Sequence, residues 1–229
     1  METLALALAP VLILLFYIYL RDKYDREPLW LLAKGVLAGI IITAPVIFTE
    51  AFLDARNPFP ADAPGSAAWQ AFIVAGLTEE AFKLLAVMMV FWRSRAFNER
   101  FDGIVYAVFV SLGFAAVENI LYVSQGGTSV GVMRAFTSVP GHAAFGVIMG
   151  YYLGRARLEQ KLRPSRLLLA LLMPVLFHGT YNFLLLAGNK GLVILFYPFL
   201  YLLYRTGLRR MRYLSDHSAM RPGAGRDQI

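Results

Sequence analysis

Long uncharged runs constrain this chain before any motif does. Seven segments, 3–20, 29–53, 67–92, 103–123, 130–153, 167–187 and 191–204, are predominantly apolar. A helix crosses the ~30 Å hydrocarbon core with about 20 such residues. All but the last segment are near that length, and 191–204 is short. Lipid offers no partner to backbone N–H and C=O groups, so runs of this length are read as helices. The expected fold is therefore all-α: a polytopic transmembrane helical bundle of about seven spans. It would form a single domain over 1–204, followed by a basic tail, 205–229, expected to be disordered. Composition agrees, with 58% hydrophobic and 16% charged residues, against the roughly 25% charged of soluble domains. There is no cysteine, which excludes disulfides, thiolate metal sites and a cysteine nucleophile.

The net charge of +7 does not point to nucleic acid, because its distribution is that of a topology signal. Seventeen Lys and Arg residues fall in the connectors 21–27, 93–100 and 155–166 and in the tail. The alternate connectors hold two, Arg56 and Lys190; Lys34, Lys83 and Arg134 lie within spans. Basic residues stay on the cytosolic side, so the N-terminus is expected outside and the C-terminus inside, which requires the short seventh span. The first segment carries Glu2 and no basic n-region, and its small residues precede the apolar core, so it is read as a retained span.

Within this frame the charged residues inside spans stand out. The third span carries GLTEEAFKLL, with Glu79, Glu80 and Lys83; the fourth carries Glu118-Asn119; the fifth, His142; the sixth, His178 and Asn182. With about 1.5 Å of rise per residue, the depths of all four sets overlap in the outer half of the membrane. Each has a structural explanation alone: Lys83 can pair with Glu79 or Glu80 within one helix, and a single His can bond a neighbouring helix. Together they do not balance, since one lysine leaves a carboxylate uncompensated where a charge costs at least ~2.5–3.5 kcal/mol. Carboxyls beside imidazoles are what water activation requires. Pro140 and Pro174, just before the two histidines, are expected to kink their helices and open a cavity. Gly35 with Gly39, and Gly146, Gly150 and Gly154, repeat at four-residue spacing and suit close helix packing.

Residue types narrow the chemistry. Every Asp lies in a connector, in the tail or at a span edge, which excludes a membrane aspartyl protease. Neither HAAFG nor HGTYN is the HExxH of zinc proteases. Ser138 and His142 are four residues apart, but Pro140 intervenes and no nucleophile elbow is present, so a serine dyad is rejected. A glutamate-activated water or a metal held by Glu and His remains. A proton-coupled transporter or channel, which also uses buried carboxylates and histidines, and a non-catalytic membrane scaffold are the rival readings.

The ordered motifs EEAFK, FAAVEN (114–119), PGHAAFGVIMGYYLG (from Pro140) and FHGTYN (from Phe177), with YDREPLW after the first span, resemble the PrsW family of membrane proteases. That family is related to the CAAX-processing glutamate proteases. Lys83 and Glu118 stand where CAAX enzymes have Arg and His, which favours the PrsW branch. The resemblance implies intramembrane hydrolysis of a single-pass membrane protein, such as an anti-sigma factor, in a prokaryotic cell membrane. It implies membrane lipids and a protein substrate as partners, and no nucleic acid. By this resemblance Glu79 and Glu80 activate water, His178 assists, and His142 and Glu118 complete the catalytic cluster. Lys83 supports it, and Asn182 or Asn119 holds the substrate carbonyl or oxyanion. If a metal such as zinc is bound, the candidate ligands are Glu80, Glu118, His142 and His178.

Overall fold

The computed structural model describes residues 2–218 and 220–221, and no strand occurs among them. Its helices are α1 (Glu2–Arg21), α2 (Leu29–Asp54), α3 (Pro64–Ala68), α4 (Thr78–Phe91), α5 (Arg100–Phe136), α6 (Ser138–Leu158), α7 (Arg163–Leu186) and α8 (Lys190–Asp216). A π-helical segment, Trp69–Leu77, joins α3 to α4, and a 3-10 turn, Gln160–Leu162, precedes α7. Five stretches are long and apolar enough to cross a membrane: Thr3–Arg21, Leu29–Asp54, Arg100–Leu158, Gln160–Leu186 and Lys190–Asp216. The 59-residue stretch Arg100–Leu158 far exceeds one crossing.

That stretch reverses at Gly127, whose φ of 71° is open to glycine without strain. Residues 128–136 return alongside the outgoing arm, so that Arg134 reaches Asn119. A second break at Thr137 starts α6. The single helix expected over 130–153 is thus two pieces. Pro140 falls in the first turn of α6, where its missing N–H removes no ladder bond, so it does not kink the helix as expected. Pro174 does lie inside α7. Helix α8 runs on to Asp216, past the expected start of a disordered tail at Arg205. The rest of that tail beyond Arg221 lies outside the described residues.

Packing follows the glycines. A Cβ at Gly150 would strike the Gly103 carbonyl, and one at Gly154 the Arg100 carbonyl, so α5 and α6 meet backbone to backbone. Gly39 and Gly113 do the same for α2 against α5. The outgoing arm of α5 is central: residues 101–116 are all buried. At one end of the bundle, the α1–α2 connector folds onto α5. Asp22 accepts from the Glu27 N–H at 3.2 Å, Tyr106 donates to the Glu27 carboxylate, and Asp25 accepts from Asn98. Burial pushes the Asp22 carboxyl up to about 6 and Glu27 up to about 7.

Candidate active site

The π segment governs how the Glu pair enters the core. Such segments are rare and short; this one has nine residues and ends directly before Thr78. Thr78 Oγ1 donates to the Ile73 carbonyl five residues back. Helix α7 packs against the segment: Gly76 faces the Gly179 backbone, and Gly179 makes room for the Phe72 ring. His178 is thereby held against the start of α4. Glu79, Glu80 and Lys83 are all buried there, Lys83 at 1% exposure and Glu80 at 0%.

Lys83 organises the site. An ammonium has three donors and no acceptor, and all three are used. Nζ reaches Glu79 Oε2 at 2.9 Å, Glu80 Oε1 at 2.8 Å and His142 Nδ1 at 3.2 Å. The Phe114 ring lies 4.4 Å from Nζ. Because Nδ1 of His142 faces a donor, the network assigns its proton to Nε2, which donates to Glu118 Oε2 at 2.7 Å. Glu118 in turn meets Arg134 Nη2 at 3.0 Å. Arg134 Nε donates to Asn119 Oδ1 at 2.8 Å, and Asn119 Nδ2 donates to the Ala7 carbonyl at 2.7 Å. A continuous buried chain therefore runs from α1 to the Glu pair.

The remaining atoms differ in kind. His178 Nδ1 lies 2.9 Å from Glu80 Oε1, and its ring stacks on Phe145 at 4.7 Å. With Nδ1 donating to that carboxylate, Nε2 keeps its lone pair, and it sits 3.9 Å from Glu79 Oε1. Glu80 Oε2 is buried without a partner. Glu79, Glu80 and His178 each offer one ligand atom, all within 4.8 Å of one another.

The expected residues are therefore brought together, but they divide into two sets. Glu79, Glu80 and His178 have free acceptor atoms. Lys83, His142 and Glu118 hold one another. Of the four expected metal ligands, His142 has both nitrogens engaged and Glu118 is tied to His142 and Arg134, whereas Glu79, not among the four, joins the free set. Asn119 is fully buried with both ends of its amide bonded, which leaves nothing for an oxyanion. Asn182, one turn beyond His178, is partly exposed and makes no side-chain hydrogen bond among the described residues. Ser138 makes none with His142.

Two residues enter that the motifs did not supply. Arg134, at 7% exposure, is visible in sequence as a base within a span, but its partner Glu118 is sixteen residues away and meets it only through the turn at Gly127. Glu50, half-buried near the end of α2, lies in the field of Glu79, Glu118 and Lys83. A carboxylate in the last turn of an apolar helix reads as an interfacial residue, which hides it.

With both glutamates ionised, Lys83 balances one, and Arg134 balances Glu118. The free set thus keeps a net negative charge and an orphaned carboxylate oxygen. This donor set, two carboxylates and an imidazole with an open side, fits a divalent metal such as zinc.

Residues 27–204 match the family described as PrsW family intramembrane metalloprotease. Protease PrsW of Oceanobacillus iheyensis is 38% identical over 218 residues, covering 95% of this chain and 98% of the relative. Protease PrsW of Bacillus subtilis is 37% identical over 206 residues, 90% of this chain and 92% of the relative. That of Geobacillus kaustophilus is 40% identical over 182 residues, 80% and 79% of the two chains. No solved structure matches the chain. The buried Glu–Glu–His group, the apolar helices around it and these full-length likenesses agree: the chain belongs to the PrsW family of intramembrane metalloproteases and is a membrane-embedded peptidase.

Proposed function

We propose that the chain cuts a single-pass membrane protein, in a bacterium an anti-sigma factor, at a bond near the outer face of the cell membrane. The observation that carries this reading is the group of free acceptor atoms on Glu79, Glu80 and His178, buried within 4.8 Å of one another. The gap of 3.9 Å between Glu79 Oε1 and His178 Nε2 suits a water bonded to both. Glu79 takes the proton as the water oxygen attacks the scissile carbonyl carbon. The same proton then passes to the amide nitrogen as the C–N bond breaks. Asn182, free and one turn along α7 from His178, is the donor toward the carbonyl oxygen. Lys83, His142, Glu118 and Arg134 position this set and touch no substrate. A metal held by Glu79, Glu80 and His178 would polarise the carbonyl and make bound water a nucleophile at neutral pH.

The orientation rests on the basic residues: N-terminus outside, C-terminus inside, seven crossings. The cysteine-free chain allows a direct test, because Ala61→Cys and Ser165→Cys should label from opposite sides. Labelling from one side would overturn the orientation. The chemistry is tested by purifying Glu79→Gln, Glu80→Gln, His178→Ala and Ser138→Ala, confirming folding by melting, and following cleavage of a single-pass substrate beside elemental analysis. A general base contributes typically 10²–10⁴-fold, so the first three should lose activity on that scale and Ser138→Ala should keep it. Near-normal turnover in both glutamate variants would sink the mechanism.

A further inference from the structure

Helix α8 has a face that the catalytic reading does not use. Its buried residues Phe196, Leu203, Gly207, Met211 and Leu214 form one seam toward the bundle. The seam's rotational phase is fixed further by Arg210, whose guanidinium stacks over Tyr151 at 4.3 Å. At 3.6 residues per turn, Arg205, Arg209 and Arg212 fall within roughly 60° of one another, on the side opposite the seam. All three are exposed, and none has an ion pair or stacking partner among the described residues. Asp216 shares their face one turn on but forms no ion pair with Arg212. Upstream, the same side of the helix presents the exposed Ile194, Tyr197 and Tyr201.

Length makes this arrangement consequential. The apolar part of α8, 191–204, is roughly 21 Å long at 1.5 Å per residue, against a hydrocarbon core of ~30 Å. A helix this short brings its flanking charges into the interface, where long basic side chains snorkel toward phosphate. The distance along the helix from Tyr197 to Arg212 is about 22 Å, close to one leaflet with its headgroups.

We infer that this face of α8 is a binding site for anionic phospholipid. The acyl chains would lie along Ile194, Tyr197 and Tyr201, and the phosphate would be held by Arg205, Arg209 and Arg212. The orientation proposed above only names the leaflet, the inner one; the site itself does not depend on the protease reading. Charge complementarity selects the occupant. Three uncompensated guanidiniums beside an apolar strip match a negatively charged headgroup on an acyl chain, and each arginine near an anionic surface is worth roughly a five-fold change in affinity.

The test uses the full chain in phosphatidylcholine nanodiscs, with spin-labelled phosphatidylglycerol compared with spin-labelled phosphatidylcholine by electron paramagnetic resonance. The wild type should prefer phosphatidylglycerol. Arg205→Gln should weaken the preference about five-fold, and the triple Gln variant should abolish a preference on the order of 100-fold. A triple Lys variant should retain most of it, which guards against a folding defect in the Gln series. Cleavage in phosphatidylcholine alone should not change in any of these. Millimolar inorganic phosphate should not displace the lipid; displacement by phosphate would remove the acyl part of the site. Equal preference in the wild type and the triple Gln variant would overturn the proposal.

Discussion

Replacing Lys83 by Met keeps the length and bulk of the side chain and removes its charge. The ammonium gives its three hydrogen bonds to Glu79, Glu80 and His142 in a pocket where Lys83 is 1% exposed. Removing one partner of a buried ion pair typically costs 3–5 kcal/mol, because the other charge stays buried. Here two carboxylates are stranded together, which places the loss at the upper end, about 5 kcal/mol. For a chain of this size each kcal/mol moves Tm by about 2–4 °C, so the melting point in detergent should fall by roughly 10–20 °C. Glu80→Gln in the same background removes one stranded charge, so the double variant should melt above Lys83→Met. The two changes are in contact and should not add. A fall in Tm of under about 2 °C for Lys83→Met, or a double variant less stable than the single, would refute the account of Lys83 as the counter-charge of both glutamates.

Other expectations follow from the same geometry. Arg134→Met should lower turnover with little change in KM, since Arg134 acts through Glu118 and His142. Arg134→Lys should recover part of the loss, and an equal drop in both variants would mean that the fork geometry, not the charge, matters. The α1–α2 connector should loosen with rising pH. Asp22 and Glu27 have folded-state values of about 6 and 7, above their ordinary 3.8 and 4.5. Their contribution to stability is therefore full below about pH 4 and is lost as pH rises through 6 to 7. Hydrogen exchange of residues 22–28 should quicken across that window, and Glu27→Gln should flatten the change; exchange independent of pH in the wild type would contradict it.

Most of the helices were legible because uncharged runs of spanning length have few other fates. Reversal at Gly127 and the break at Thr137 were not legible as such, since no change in polarity marks Thr137. Helix α8 was under-read for the opposite reason. Its charges after Tyr204 suggest a tail, yet Gly207, Met211 and Leu214 continue the buried seam among arginines that are themselves good helix formers. At the site, the cost of charge in lipid exposed Glu79, Glu80, Lys83, Glu118 and both histidines. What a sequence does not carry is which lone pairs stay free. That depends on what faces each side chain: Lys83 opposite His142 Nδ1, and Arg134 opposite Glu118, both set by contacts between separate helices.

The π segment has a consequence for descent as well as for shape. A π turn holds one more residue per hydrogen-bonded ring than an α turn, so a single deletion within Trp69–Leu77 relaxes the segment toward ordinary helix. Everything downstream then turns by about 100°. EEAFK would survive letter for letter while its carboxylates rotated away from His178. Relatives that keep the motif but lack one residue between Trp69 and Glu79 are accordingly candidates for inactive paralogues, a kind of loss that substitution counts would never reveal.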